Sequence, residues 1–496
     1  MITDTIYQQF GHLLNRSERL RTTVLVLANS AGCLLMLSPA LSLIAATSSA
    51  IYIYNHIQGP LDWFMFECML GVAAFSAYLT WQLLNIHPEQ PEGVRLKPEQ
   101  SPEIFKMLER RSNHFRIKPV THINLSMGTE LNIVGTPVWA VPIYHRHTLC
   151  AGAPLLFFLG RGQFRLGLAG AVAVAANKKT CLSGWLVQAA NDWPLIISAL
   201  KSNDSLLSRL FLNPVEWLAT HIEHLSIRLR ADWHQQQSRW VLDNSDERST
   251  ADYLANHLVA TAFLDKQYWP MIFKAADRCP TPVVKAFSHL PLLLHKTLNK
   301  KHAERWLLEA QAFGKQQQTG VRDLLAELRI DQLAWPGLPA ESAFDTLFSN
   351  KEILKQLDTY WQNTIETQWR DAHARYKNHE FRFDQLKKRA QEQGLRGESA
   401  LKFVKLAPQF VDQQRAIAIY KEMYKYNSDD AKVCFACGLA LLRSSSVNAG
   451  ITALQRAANL DPALAKRARA LVSEHGNAWV DEEPAHRHVT MEHATA

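Results

Sequence analysis

The sequence predicts a mainly α-helical membrane protein with a two-helix transmembrane hairpin, a helical domain containing a small β-hairpin, and C-terminal helical repeats. Three observations support this fold class. They are an uncharged N-terminal stretch long enough to cross a bilayer, apolar residues at helical spacing through most of the chain, and a C-terminal pattern with a period of about 34 residues. The chain has 496 residues, of which 47% are hydrophobic. This length and composition allow two or three domains with sizeable cores.

Charge and cysteine usage restrict the partners and the compartment. The chain has 54 Lys and Arg against 46 Asp and Glu, a formal charge of +8, and the basic residues are spread along it. This distribution disfavours nucleic-acid binding and favours contact with anionic lipid head groups. The seven cysteines are scattered and odd in number, and most lie in apolar segments. A reducing compartment fits this pattern best.

Residues 1–90 contain the N-terminal segment and two predicted transmembrane helices, at about 23–46 and 66–87. No Asp, Glu, Lys or Arg occurs from Thr22 to Leu61, and a second uncharged run extends from Cys68 to His87. Each run is long enough to cross a bilayer as a helix. Tyr and Trp residues, which favour the membrane–water boundary, lie between the two runs.

We expect both termini to be cytoplasmic, because cytoplasmic flanks of membrane helices carry an excess of Lys and Arg. Basic residues precede the first helix and follow the second, whereas the connection between the helices has none. These flanking residues are Arg16, Arg19, Arg21, Arg95, Lys97, Lys106, Arg110 and Arg111. A cleaved signal peptide fits less well, because the first apolar run is too long and a second run follows it. The predicted location is a bacterial inner membrane, with the lipid bilayer as a partner.

A soluble domain is predicted at residues 91–350. Ile104 to Phe115 has apolar residues at helical spacing, and the β-prone segments Thr121–Leu125 and Glu130–Val134 flank a turn that contains glycine. We expect these two segments to form a small hairpin or an edge strand. Residues 166–176 alternate Leu, Ala and Val without a polar face, which predicts a helix buried on all sides.

Several short runs in this domain resemble the HtpX-type membrane zinc metalloproteases, a family that includes the CAAX prenyl proteases. The runs are Pro91-Glu-Gly-Val-Arg-Leu, Pro102-Glu-Ile-Phe, Leu131-Asn-Ile-Val, Ala153-Pro-Leu-Leu and Gln163-Phe-Arg-Leu-Gly-Leu-Ala. Their order and spacing carry the resemblance, which covers about residues 90–350. It implies a gluzincin-like helical metalloprotease domain behind the two-helix anchor.

The residues that carry the family's chemistry are replaced in this chain. In such enzymes two histidines one helical turn apart bind zinc, and the glutamate between them is the general base. By this resemblance the two histidines fall on Gly170 and Val174, and the base falls on Ala171. The third ligand, a glutamate, falls on Arg248, whereas the aspartate of the same motif is kept as Asp252. The resemblance therefore implies a domain that has lost its zinc site and needs no cofactor.

Two further observations favour this interpretation. No two of the twenty histidines are four residues apart, so a helix-borne HExxH site cannot occur anywhere in the chain. A histidine of a later family segment falls on Gly320. Arg248 lies one helical turn before Asp252, and we hypothesise that the two form an ion pair that replaces the organising effect of the metal.

Other candidate sites remain as alternatives. His221, Glu223, His224 and His234 form a loose zinc site if the domain is an enzyme after all, although isolated histidines usually lie at the surface. His145 and His147 are predicted to be solvated. The cysteines of Cys434-Phe-Ala-Cys437 have redox-motif spacing but lie in an apolar helix, so core packing is the preferred interpretation.

Residues 351–397 are predicted to be a charged helical connector, 398–475 a module of tetratricopeptide-like (TPR-like) repeats, and 476–496 a disordered tail. The repeat positions that match are Gly438, Leu441, Gly450, Leu454, Ala457 and Pro462, and one period earlier Ala416 and Tyr420. Ser428 replaces the terminal proline of that degenerate first repeat. Stacked helix pairs form a groove suited to peptides. A plain helical cap is the alternative.

Together these features predict a membrane-anchored pseudoprotease of the HtpX type that acts by binding proteins, with partners docked on the TPR-like module. Two alternatives stay open. One is an active membrane zinc endopeptidase with an unconventional site, and the other is a membrane scaffold in which only the repeats function.

Overall fold

The computed structural model describes residues 18–117, 120, 122–180, 182–243, 246–317, 333–348, 352–444 and 446–474, with the side chains of 18, 177–180, 228, 231–243, 313–317 and 474 left out. The described chain is mainly helical, as predicted. It divides into two compact units, and each is described by itself. Unit 1 comprises residues up to Ile272 together with Val283–Ile365, and unit 2 comprises Phe273–Pro282 and the residues from Glu366 onward.

Two helices at the start of unit 1 are long and apolar enough to cross a membrane. Helix α1 is Glu18–Tyr54 and helix α2 is Pro60–Asn85. They pack against each other, and the hydroxyls of Ser42 and Ser76 are 3.0 Å apart between them. The turn into α2 is fixed by Asp62, whose carboxylate accepts hydrogen bonds from the backbone N–H groups of Gln58 and Gly59.

Helix α1 is longer than the predicted span of 23–46, because its first half packs against protein. Its 37 residues correspond to about 55 Å at 1.5 Å per residue, whereas about 20 residues cross a bilayer. Leu25, Asn29 and Met36 are buried, and a β-carbon on Gly32 would lie 2.5 Å from the ring of Trp193. The indole N–H of Trp193 donates to Asn29 Oδ1 at 3.0 Å. This part of α1 therefore belongs to the core of unit 1.

Two helices cover that part of α1. They are α6, Leu182–Ser202, which carries Trp193, and α7, Leu206–Asp243. The N–H of Leu207 at the start of α7 donates to Gln82 Oε1 near the end of α2 at 2.8 Å. Helices α1 and α2 thus share one apolar core with α6 and α7, which the predicted domain boundary at residue 90 does not capture.

A four-stranded sheet replaces the predicted small hairpin. The strands are β1, Val94–Arg95; β2, His122–Ser126; β3, Leu131–Trp139; and β4, Val141–Gly152. Their order is β1-β2-β4-β3, with β2 parallel to β4 and β3 antiparallel to β4. The predicted hairpin between the segments at 121–125 and 130–134 is wrong, because β4 lies between them. The alternative prediction of an edge strand is confirmed, because among the described residues β3, which contains 131–134, pairs with β4 alone.

The remaining helices of unit 1 surround this sheet and the core. They are α3, Pro102–His114; α4, Leu155–Phe158; α5, Arg161–Thr180; α8, Glu247–Phe263; α9, Trp269–Phe273, which extends one residue into unit 2; α10, Ala286–Thr297; α11, Lys300–Gln317; and α12, Ala343–Leu347. A π-helical turn, Leu264–Tyr268, joins α8 to α9, and the 3₁₀ turn Lys274–Asp277 follows. Helix α5 packs against β3 and α8.

Two helix pairs in unit 2 are offset from each other by 34 residues. Helix α13, Glu352–Gln393, runs into this unit and is followed by α14, Gly397–Phe410; α15, Gln413–Tyr426; α16, Ala431–Arg443; α17, Val447–Leu460; and α18, Pro462–Glu474. Helix α16 begins 34 residues after α14, and α17 begins 34 residues after α15. The period predicted from the sequence therefore appears in the helix positions.

The repeat positions identified in the sequence lie where helices α16 and α17 touch. A β-carbon on Gly438 would lie 2.9 Å from the backbone N of Leu454, and one on Gly450 would lie 2.8 Å from the backbone N of Leu442. Ala416 and Tyr420, one period earlier, are also buried. Glycine at both positions lets the two backbones approach closely.

Candidate functional site

Helix α5 carries the positions at which the resemblance predicts zinc chemistry. A β-carbon on Gly167 would lie 2.7 Å from the side chain of Leu131 at the start of β3 and 2.8 Å from the ring of Tyr253 on α8. Ala171 is buried, and Gly170 and Val174 are partly buried. The helix is held so close to β3 and α8 that a small residue is required at 167.

The two family positions that fall on α8, Arg248 and Asp252, lie in the first two turns of this helix. Asp246 caps this helix by accepting a hydrogen bond from the N–H of Ser249 at 3.2 Å. Arg248 is exposed and Asp252 is partly buried. Both side chains are described, and no ion pair within 4.0 Å joins them in this structure. The predicted pair is therefore not formed here. Gly320 lies outside the described residues.

A network of amide groups connects α5 to α8 instead. Asn256 on α8 donates from Nδ2 to Gln163 Oε1 on α5 at 3.1 Å, and the indole N–H of Trp335 donates to Asn256 Oδ1 at 3.0 Å. Gln163 Oε1 also accepts from the N–H of Gly160 at 3.1 Å, which fixes the start of α5. Asn256 is 1% exposed, so both its polar atoms need partners and these bonds supply them.

His257, next to Asn256 on α8, was not identified as a candidate from the sequence. It lies on α8 one turn after Tyr253, with their ring centroids 6.2 Å apart. Burial lowers the pKa of His257, and a backbone hydrogen bond at Thr129 and the charge of Glu130 oppose that shift in part. Nothing in the sequence indicated that the side chain of His257 is partly buried at this contact.

The residues of the alternative zinc site on α7 make other contacts or lie exposed. The Nδ1 atom of His221 is hydrogen bonded to the carbonyl of Trp217 at 2.6 Å, and the two rings lie 4.2 Å apart. Glu223 and His224 are exposed, and the side chain of His234 lies outside the described residues. Among the side chains that are described, no group of three or more His, Cys, Asp or Glu could hold a metal ion.

The prediction that His145 is solvated is wrong. Its Nε2 lies 2.6 Å from Oδ2 of Asp192, a carboxylate of α6 with no exposed surface, and the His145 side chain is 12% exposed. Gln188 donates to Asp192 Oδ1 at 2.9 Å and to the carbonyl of Gly135 at 3.0 Å. A buried carboxylate needs such partners, because an unpaired charge inside a protein is strongly destabilising. These bonds tie α6 to strands β3 and β4. His147 is partly buried and stacks on His145.

The cysteine pair of α16 is packed in the core of unit 2. Cys434 and Cys437 have no exposed surface and are free thiols. Burial raises their pKa values to about 11 and about 12. The Cys434 thiol donates to the carbonyl of Asn427 at 3.3 Å. This environment is that of a structural cysteine rather than of a reactive thiolate.

A groove lies between the helix pairs of unit 2. It has a volume of about 520 Å³, and its apolar lining includes Val404, Val411 and Leu439. The exposed cations Lys405 and Arg443 also line it. The groove therefore combines an apolar surface with positive charge.

The chain matches no protein-family model, and comparison with curated proteins and with solved structures found no similar protein.

Proposed function

We propose that the protein is a membrane-anchored pseudoprotease that holds other proteins without cutting them. In this proposal unit 1 is a degenerate HtpX-type domain, helices α1 and α2 cross a bacterial inner membrane, and both termini are cytoplasmic. The TPR-like repeats of unit 2 supply the binding surface. The anchor is supported by the two long apolar helices.

The observation that carries the proposal is how α5 and α8 are joined. In a zinc peptidase of this type, ligands from two such helices would converge on the metal. Here the positions predicted for ligands and base on α5 are Gly170, Ala171 and Val174, and the helices are connected by the bonds among Gln163, Asn256 and Trp335. Such a contact is complete without a metal, which favours binding over hydrolysis.

The groove of unit 2 supports a peptide as the bound partner. Helix pairs with a 34-residue period leave a concave surface. Lys405 and Arg443 are exposed at the groove, so an acidic group on the partner would gain from both. We therefore expect segments with apolar and acidic side chains to bind best.

The test uses the full chain in detergent with fluorescein-labelled β-casein, an unfolded acidic protein. Fluorescence anisotropy measures binding, and gel electrophoresis of the same samples measures cleavage. We expect saturable binding and intact casein after prolonged incubation. Cleavage that a zinc chelator abolishes would refute the pseudoprotease and support the endopeptidase alternative.

A pair of charge-reversal variants tests the groove. Lys405→Glu/Arg443→Glu changes the charge inside the groove, whereas Lys432→Glu/Lys466→Glu makes the same change at exposed positions elsewhere in unit 2. Loss of two favourable charge contacts corresponds to a roughly tenfold weaker affinity, about 1.4 kcal/mol. We expect that loss in the first variant only. Equal effects in both variants would show that the groove does not hold the casein.

A further inference from the structure

A cavity of unit 1 is lined by five basic side chains. It lies between α3 and α5, has a volume of about 370 Å³, and is lined by Arg110, Arg111, His114, Arg161 and Arg165, together with Met107 and Leu168. This volume is in the range of small-molecule sites, about 300–1,000 Å³. None of these residues belongs to the groove of unit 2 or to the contact between Gln163 and Asn256.

Positive charge predominates in this cavity. Arg161 forms an ion pair with Glu103 at 2.8 Å. Within the part of the chain that the structure describes, no carboxylate lies within 4.0 Å of the guanidinium nitrogens of Arg110, Arg111 or Arg165. Among the described residues, Arg161 is therefore the one arginine of this cavity that has a carboxylate within 4.0 Å. Arg110, Arg161 and Arg165 are exposed, so solvent screens the repulsion among the arginines, and this repulsion is strongest at low ionic strength.

The direction of α5 adds to the positive potential. Arg161 and Arg165 lie in the first two turns of this 20-residue helix. The helix dipole is positive at that end, so cations there are unfavourable and anions are favourable. Arg111 and His114, by contrast, lie in the last turn of α3, where the dipole favours cations. Arg161, in the first turn of α5, thus opposes the dipole of its own helix, and a bound anion would offset this effect as well as the repulsion among the arginines.

We propose that this cavity, the arginine cavity, binds a phosphate-bearing anion through Arg110 and Arg165, with Arg111, His114 and Arg161 around it. Guanidinium groups present planar pairs of donors that match two phosphate oxygens at once, and four of them in one cavity are typical of phosphate recognition. The phosphate can belong to an anionic lipid head group or to a soluble molecule, and the chemistry of recognition is the same for both.

The test measures thermal unfolding of the full chain in phosphatidylcholine nanodiscs, with inorganic phosphate or with chloride at equal ionic strength. Arg110→Gln/Arg165→Gln removes two charges from the cavity. Arg375→Gln/Arg382→Gln makes the same change at exposed positions of α13 and is the matched control. A third variant, Arg110→Lys/Arg165→Lys, keeps the charge but lacks the paired donors.

We expect phosphate to raise the unfolding midpoint of the native chain and of the control by about 2 °C or more at ten times the dissociation constant. The glutamine variant should show no such rise. Its midpoint in chloride should equal or exceed that of the native chain, because repulsion has been removed. The lysine variant should respond more weakly than the native chain, which separates loss of recognition from loss of folding.

A second set of nanodiscs, with about 30% phosphatidic acid, distinguishes the two sources. If the lipid head group is the ligand, these discs raise the midpoint of the native chain and added phosphate has no further effect. If the ligand is soluble, the response to phosphate persists in both discs. The proposal is overturned if the glutamine variant responds to phosphate as the native chain does, or if neither phosphate nor phosphatidic acid raises the native midpoint.

Discussion

Gly438→Val should force the repeat helices α16 and α17 apart. A β-carbon at position 438 would lie 2.8 Å from Leu454 Cγ, 2.9 Å from Leu454 N and 3.0 Å from the carbonyl oxygen of Gly450. Two of these three atoms belong to the backbone of α17, so a change of one side-chain rotamer cannot relieve the contact. The whole helix must move, and the packing between the two helices is lost in part.

The size of the effect follows from two opposing terms. Overpacking of a tight core contact costs about 1–3 kcal/mol. Valine is a somewhat better helix former than glycine, which offsets about 0.3 kcal/mol. The net destabilisation is about 1–2.5 kcal/mol, which raises the local opening constant of the two helices roughly fivefold to seventyfold.

Hydrogen–deuterium exchange of the full chain measures this opening directly, because peptides from α16 and α17 report the protection of their own amides. Gly162→Val is the control, since a β-carbon there meets no atom within 4 Å. Protection should fall in α16 and α17 with Gly438→Val and stay unchanged there in the control. If both variants leave that protection equal to the native value, the close helix contact and the repeat architecture argued from it are refuted.

Three other outcomes are expected. Trp193→Phe removes the donor to the buried Asn29 oxygen and should cost about 1–3 kcal/mol, seen as a lower unfolding midpoint. An unchanged midpoint would contradict the contact between α6 and α1. Because burial lowers the pKa of His257, the unfolded chain binds this proton at a higher pH than the folded chain does, and the free energy of unfolding should fall as the pH decreases below about 6.5. His257→Gln should reduce this dependence of stability on pH. Equal pH dependence in the native chain and the variant would contradict the burial. Cys434 and Cys437 should resist iodoacetamide at pH 8 until the chain is unfolded, as mass spectrometry would show; rapid labelling of the folded chain would contradict their burial.

Features encoded by local patterns were predicted well. The absence of charge from Thr22 to Leu61 indicated a helix that is long and apolar enough to cross a membrane, and the spacing of Gly438 and Gly450 indicated a pair of helices at these positions. Such patterns are readable because a helix imposes its geometry on residues close in sequence.

Features that depend on distant contacts were missed. Strand β4 was not predicted, because the polar run His145-Arg-His147 at its centre interrupts the apolar pattern of the strand. Its parallel pairing with β2 has no local signal. The solvent-facing interpretation of His145 failed because its partner, Asp192, is 47 residues away on another element.

The same limit applies to the candidate site. Helices α5 and α8, which carry the positions named by the resemblance, pack together. The bonds that join them connect Asn256 to residues 93 and 79 positions away, Gln163 and Trp335, and amide side chains of this kind are common in any helix. Only the folded chain shows that these three meet.

The zinc content of the full chain tests the central claim most directly. The protein is purified in detergent without chelator, dialysed, and analysed by elemental mass spectrometry beside the variant His221→Ala/His224→Ala. If the protein is a pseudoprotease in which amide side chains join α5 to α8, both samples should contain only trace zinc, in equal amounts. A stoichiometric zinc that the double variant loses would contradict the account and show an unconventional metal site on α7.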